Sequence, residues 1–162
     1  MRHLMAAAIG LLLSIGTAQP ANSGSDEAAI KEVFARFSRI WDTPGMPGFE
    51  ELFTDDADFV VVTGKWLKGR DTIVSYHREL LKSRYAGSKQ LPQTVNVRFL
   101  TPEIAIAHFA SGARYTQDGQ EHTRTGLGTA TLVKREGRWR IAAFQNTLTS
   151  GPGALLPANP NL

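Results

Sequence analysis

Hydrophobic positions along this chain follow two rhythms. Between Asp26 and Asp42, Ile30, Val33, Phe34, Phe37, Ile40 and Trp41 recur at steps of three and four, with Lys31, Glu32, Arg36 and Arg39 largely opposite. That spacing predicts an amphipathic helix with one buried face. Ser25 is a suitable N-cap, and Asp26 and Glu27 suit the positive end of the helix dipole. "TPGMPG" then interrupts the chain with two prolines and two glycines. "FEELFT" reads as a short helical turn with Phe49, Leu52 and Phe53 on its buried side. Phe59 to Thr63 is β-branched and aromatic, hence a strand, and Gly64 marks a turn. Helical spacing returns in "GRDTIVSYHRELLKSRY", where Ile73, His77, Leu80 and Leu81 share a side, and residues 86–92 read as loop.

From there the period is two. "QTVNVRFL" sets Val95, Val97 and Phe99 on one face, and "EIAIAHFASGARYTQ" is a long strand. "DGQ" at 118–120 signals a hairpin, "EHTRTGLGTATLVKRE" answers it, and Gly137 turns into "GRWRIAAFQNT". Helices first and a meander of strands second predict an α+β domain, with helices on one face of a strongly bent antiparallel sheet. Gly112, Gly126 and Gly128 fall inside strand patterns, where glycine marks bulges or bends. They suggest a sheet that curls around the helices and encloses a hollow.

Composition narrows the choice of function. A length of 162 residues suits one domain with its own core. The formal charge is +3, and the basic residues are interleaved with acids, as in "KEVFARFSR" and "VKREGRWR". That argues for solvated faces and against a nucleic-acid partner. The chain has no cysteine, which excludes disulfides, thiolate metal sites and cysteine nucleophiles. The start, "MRHLMAAAIGLLLSIGTAQPANSGS", has a basic beginning, an apolar run from Leu4 to Ile15, and small residues at Gly16 and Ala18. This is the signal-peptide pattern, with cleavage near Ala18. The run is too short to span a bilayer. The expected organisation is a signal peptide at 1–18, a flexible lead-in at 19–25, a domain at 26–148 and a loose Pro/Gly-rich tail at 149–162. The expected location is exported, periplasmic or secreted, with no membrane contact beyond the signal segment.

Several side chains are candidates for chemistry. His77 lies four residues after Ile73 and three before Leu80, which puts an imidazole on the apolar face as a possible general base. The alternative is a core histidine bonded to a backbone carbonyl. Asp58 opens the first strand and shares a face with Val60 and Val62; it is either an acid/base group or a strand-entry carboxylate. His108 and Arg114 alternate with Ile104 and Ile106, so they could bind a carboxylate or enolate together, or could lie on the outer face. Gln145 shares the face of Trp139, Ile141 and Ala143, and this parity makes it the pocket group. Asn146 and Thr147 would then tie down the strand end through backbone hydrogen bonds; the alternative is that the whole triplet is a solvated strand terminus. Trp66 and Tyr76 are candidates for an aromatic rim, with core packing as the alternative. The histidines show no metal-ligand spacing, and no G-x-S-x-G, dinucleotide or P-loop motif is present, so no metal or cofactor is expected.

The words "ELFTDDADFV", "KWLKGRDTI", His77, "VRFLTPEIAIAH" and "GRWRIAAFQNT" resemble the SnoaL-like proteins of the SgcJ/EcaC type, within the nuclear transport factor 2-like superfamily. The resemblance covers roughly residues 26–148. It implies a cone-shaped α+β fold, helices packed on a strongly curved, mainly antiparallel sheet, with dimers commonly formed through the open sheet face. Relatives often carry His where this chain has Gln145, and an amide cannot replace a titrating group. The fold hosts isomerases, cyclases, dehydratases, hydrolases and binding modules. The expected function is an exported small-molecule pocket protein, with cofactor-free acid/base chemistry through Asp58 or His77 and substrate contacts from Trp66, His108, Arg114, Gln145 and Asn146. The alternative is a non-catalytic ligand-binding or dimerising module.

Overall fold

The computed structural model describes residues 23–149. The expected signal peptide, most of the lead-in and nearly all of the tail lie outside these residues. Helix α1 spans Ser23–Trp41 and so begins before Ser25. Ile30, Val33, Phe34 and Phe37 are buried along it, as their spacing requires. A 3-10 turn at Phe49–Leu52 leads directly into β1, Phe53–Val60, which starts six residues ahead of the expected strand. Strand β2 is Trp66–Lys68 and helix α2 is Arg70–Lys82. The segment expected as loop contains β3, Lys89–Gln90, which pairs with Arg114 and Ala113. The remaining strands are β4, Thr94–Thr101; β5, Ile104–Gln117; β6, Gln120–Arg135; and β7, Arg138–Leu148. No helix among the described residues is long and apolar enough to cross a membrane.

The strands form one sheet in the order β2-β1-β7-β6-β5-β3, with β4 also paired to β5. This corrects the expectation of a strongly curved, cone-shaped sheet. The observed sheet is open, with β2 at one edge and β3 and β4 sharing the other, and it is neither strongly curved nor closed. It is also mixed, because β1 runs parallel to β7 while the other pairs are antiparallel. The glycines expected to bend it do not. Gly112, Gly126 and Gly128 sit in a β5–β6 ladder whose register continues without a shift from Ile104↔Val133 to Gln117↔Gln120. They clear space instead. A Cβ on Gly128 would lie 2.4 Å from Phe144 Cζ, and one on Gly126 would lie 2.9 Å from Asn146 Oδ1. The hairpin signal is met: Asp118 and Gly119 both take positive φ, the geometry of a two-residue turn that matches strand twist.

Both helices lie on one face of the sheet, α1 against β4 and β7 and α2 against β1. Between them and the sheet is an aromatic core. Phe34 stacks on Phe109 at 4.9 Å and Phe59 on Phe144 at 4.6 Å, while Phe37 meets Phe49 edge-on at 5.2 Å. Such pairs add about 0.5–1.5 kcal/mol each to the burial of their area. The N-terminal turn of α1 is fixed by Asp26, only 6% exposed. Its Oδ1 accepts from Lys134 Nζ at 2.6 Å and from Trp139 Nε1 at 3.0 Å. These bonds hold the Asp26 carboxyl below its ordinary 3.8, the Lys134 bond contributing most.

One irregularity decides what faces the helices. On the β6–β7 ladder Leu132 pairs with Ile141 but Thr131 pairs with Ala143, which leaves Ala142 without a partner. This is a bulge, and an extra residue reverses the alternation beyond it. Trp139 and Ile141 are buried before it, and Phe144 is buried after it.

Candidate functional site

Under α1 and α2 lies a cavity of about 150 Å³. Its deep walls are Phe59, Phe109 and Phe144 from the sheet, Phe37 from α1, and His77 from α2, all buried. Exposed Thr63, Arg84 and Leu148 line its open end. Trp41 completes the wall, fixed by a 3.0 Å hydrogen bond from its Nε1 to Ser88 Oγ.

His77 is 3% exposed and surrounded by rings, with Phe59 at 4.8 Å, Phe49 at 5.3 Å and Tyr76 at 5.5 Å. Its Nδ1 donates to the Ile73 carbonyl at 2.8 Å. The carbonyl can only accept, so the proton is on Nδ1 and Nε2 carries the lone pair. Nε2 has no hydrogen-bond partner among the described residues. Burial pushes the imidazole down from 6.5 to about 4, against a smaller upward pull from the Ile73 carbonyl. The ring is therefore neutral at pH 7, a free base in an apolar chamber.

Asn146 supplies the second polar group. It lines the cavity, and its Oδ1 is buried without a hydrogen-bond partner. The bulge puts it there. Gln145, expected inward from the parity of Trp139 and Ile141, is exposed on the opposite face. Sequence parity thus selected the wrong member of this pair, because the alternation slips at two adjacent alanines.

The other candidates lie away from the cavity. Asp58 is half-buried on the outer side of β1, where its Oδ1 accepts from Trp66 Nε1 at 2.8 Å. The idea that Asp58 and His77 line one hollow is corrected by this alternation: Phe59 and Val61 face the cavity, and Asp58 faces away. Trp66 is 57% exposed at the sheet edge, with Lys68 Nζ 4.6 Å from its ring centroid. His108 is exposed and meets Thr129 Oγ1 at 3.2 Å through Nδ1, while exposed Arg114 lies 3.6 Å from Glu121. His108, Thr129 and Gln145 form a cross-strand row on the outer face.

Among the lining residues that sequence reasoning missed are Arg84, Tyr85 and Arg124. Arg124 had a readable signal, since it alternates with Gly126 and Gly128 and so shares the face they clear. Arg84 and Tyr85 follow α2 in a turn with no periodicity to place them. No group of three or more His, Cys, Asp or Glu able to hold a metal occurs among the described residues.

The SnoaL-like domain model matches residues 23–145. Among solved structures, an uncharacterized protein with a cystatin-like fold from Caulobacter vibrioides is 31% identical, with a TM-score of 0.69, covering 80% of this chain and 92% of that one. A domain of unknown function with a cystatin-like fold from Nostoc punctiforme is 26% identical, with a TM-score of 0.65, covering 78% and 79%. The hexachlorocyclohexane dehydrochlorinase LinA-type3 from Novosphingobium barchaimii is 14% identical, with a TM-score of 0.70, covering 85% and 94%; at that identity the likeness is one of fold. No curated protein matches the chain. The chain belongs to the SnoaL-like domain family, within the cystatin-like, nuclear transport factor 2-like superfamily.

Proposed function

We propose that this protein binds a small, ring-sized organic molecule in the aromatic cavity and that His77 removes a proton from it without a cofactor. The observation that carries the reading is the meeting of two polar side chains in one largely apolar chamber: neutral His77, whose Nδ1 is held by the Ile73 carbonyl, and Asn146, whose Oδ1 is buried without a partner. Buried polar groups are normally satisfied, and leaving one unsatisfied costs about 1–3 kcal/mol. A ligand that pairs with the Asn146 amide recovers that cost. A hexachlorocyclohexane dehydrochlorinase shares this fold, so the fold hosts an enzyme named for a ring compound.

The chemistry follows from the tautomer. Nε2 can accept a proton from an O–H, an N–H, or a C–H next to a carbonyl. The resulting imidazolium is disfavoured by its apolar surroundings, which is why burial holds the ring at about 4. A negative charge developing on the substrate beside it offsets that penalty. Rotated so that its NH₂ faces the ligand, the Asn146 amide donates to an oxyanion formed in the same step. Asp58 has no part in this scheme.

Non-catalytic binding is the second reading, and one observation favours it. His77 Nδ1 is bonded to a backbone carbonyl, and no carboxylate lines the cavity to strengthen the base. The test starts from thermal-shift screening of purified protein against ring-sized metabolites, since a ligand at 100 times its Kd stabilises by about 2.7 kcal/mol. Hits are then offered to His77→Gln and Asn146→Ala. Catalysis predicts that His77→Gln lowers kcat at least about a hundredfold while binding persists. Turnover that survives unchanged in His77→Gln removes His77 from the chemistry, and the absence of turnover for every bound hit supports the binding module instead.

The leader residues outside the described range support export, and the "KWLKGRDTI" and "GRWRIAAFQNT" words support the SgcJ/EcaC branch; both belong to this proposal.

A further inference from the structure

We propose that the ligand is a small monocarboxylic acid whose ring fills the aromatic chamber and whose carboxylate sits at the open end, between Arg84 and Arg124. This rests on the reading that the cavity binds a small organic molecule, and it adds the chemical class.

The charges of the lining carry the argument. Two guanidiniums line the cavity, and no aspartate or glutamate does. Many of this protein's other arginines are close to acids: Arg36 to Glu51 at 2.6 Å, Arg70 to Asp55 at 2.5 Å, Arg78 to Glu50 at 3.4 Å. Arg84 and Arg124 have no carboxylate within ion-pair distance among the described residues. Arg98, Arg135 and Arg140 also lack one at that distance, but none of them lines the cavity.

Arg124 is the stronger of the two. It is half-buried, and its hydrogen-bond partner is neutral: Nη1 donates to the Tyr85 hydroxyl at 3.0 Å. The Tyr85 ring is held against Tyr115 at 4.7 Å, so the hydroxyl is fixed in place. Having accepted from Arg124, that hydroxyl still has its own hydrogen to donate. A carboxylate at this point receives the remaining guanidinium hydrogens and the Tyr85 O–H. It also gives a partly desolvated cation the counter-charge it lacks. Arg84, next to Tyr85 in the turn after α2, is exposed and acts through a longer, salt-screened field.

The orientation follows from the opposite end. Neutral His77 presents a lone pair at Nε2, and its neighbours are rings. A carboxylate placed there would meet a lone pair and lose its hydration, whereas the apolar ring of the ligand loses nothing. The volume of about 150 Å³ suits one six-membered ring. Benzoate and phenylacetate are thus the smallest probes with the right parts.

The test is calorimetric titration of the purified protein with matched pairs, benzoate against benzamide and phenylacetate against phenylacetamide, at about 20 mM and about 300 mM salt. The acid of each pair is expected to bind at least about tenfold more tightly than its amide, the advantage of a charge-assisted contact. Arg124→Gln should abolish that preference while leaving amide affinity within about twofold, and Arg124→Lys should restore part of it. Arg84→Gln should weaken the acid by a smaller factor that disappears at high salt. Equal affinity of acid and amide overturns the proposal, as does an Arg124→Gln variant that weakens both alike. If neutral ring compounds bind and acids do not, the carboxylate assignment falls and the pocket stands. If no ring compound of either charge binds the wild-type protein, the pocket reading itself falls.

Discussion

At the scale of single residues, this protein depends on what is left off as much as on what is present. Gly128 carries no side chain because Phe144 occupies the place of its Cβ, with Cζ 2.4 Å from where that atom would be. The Phe144 ring is itself buried and stacked on Phe59, so the free space next to it is the cavity. Gly128→Ala is expected to push the ring that way. The predicted result is a stability loss of about 1–3 kcal/mol by urea unfolding, together with weaker binding of any ring-sized ligand. A variant that loses stability yet binds normally would place the strain elsewhere. The same scale shows what a sequence can and cannot disclose. The inward aim of His77 is legible from its spacing to Ile73 and Leu80, because a helix keeps its period. The choice between Gln145 and Asn146 is not legible, because it depends on an extra residue upstream.

At the scale of elements, that extra residue hides for a physical reason. Ala142 and Ala143 are adjacent, small, and at home on either face of a sheet, so the hydrophobic pattern shows no break where the phase slips. The short strands β2 and β3 escape for another reason: three residues and two residues are too few to display a period. Long elements were legible, namely α1, α2 and the β5–β6 hairpin, each of which repeats its period several times. One long-range contact was beyond any local pattern. Asp26 reads as a helix-dipole residue, yet it reaches Lys134 and Trp139, more than a hundred positions away. It ties α1 to the last hairpin. Asp26→Asn is expected to lower stability at pH 7 by about 1–3 kcal/mol, the worth of hydrogen bonds to a charged group. Amide hydrogen exchange should accelerate in the first turns of α1 ahead of the rest. Uniform acceleration across the helix would show that Asp26 does not act as a local tether.

At the scale of the whole molecule, two buried groups shape the response to acid, and they act in sequence. The unfolded chain protonates His77 near 6.5, but the folded chain resists until about 4. A depressed histidine leaves stability intact above 6.5 and removes it as pH falls toward 4, after which the loss levels off. The interval corresponds to roughly 3 kcal/mol. Asp26, held below 3.8, takes over beneath that: its contribution is present above 3.8 and is lost as pH falls through its folded value. Unfolding free energy measured by urea at stepped pH should therefore decline in two stages. His77→Gln should flatten the first stage and keep the second. An unchanged slope between 6.5 and 4 in that variant would assign the acid sensitivity to other groups. The open sheet, which the strand glycines had suggested would roll up, leaves His108, Arg114 and Gln145 in solvent on the far face, where they have no access to the chamber.

The unpaired Ala142 has a consequence for how this protein can change. It divides β7 into two segments with separate obligations: Trp139 serves the anchor to α1, and Phe144 and Asn146 serve the chamber. Because the slack in the ladder lies between them, the distal segment is free to drift in side-chain identity without dragging the proximal one out of register. Selection for a new occupant would act first on the last five residues of the strand, and the scaffold would inherit little of the disturbance.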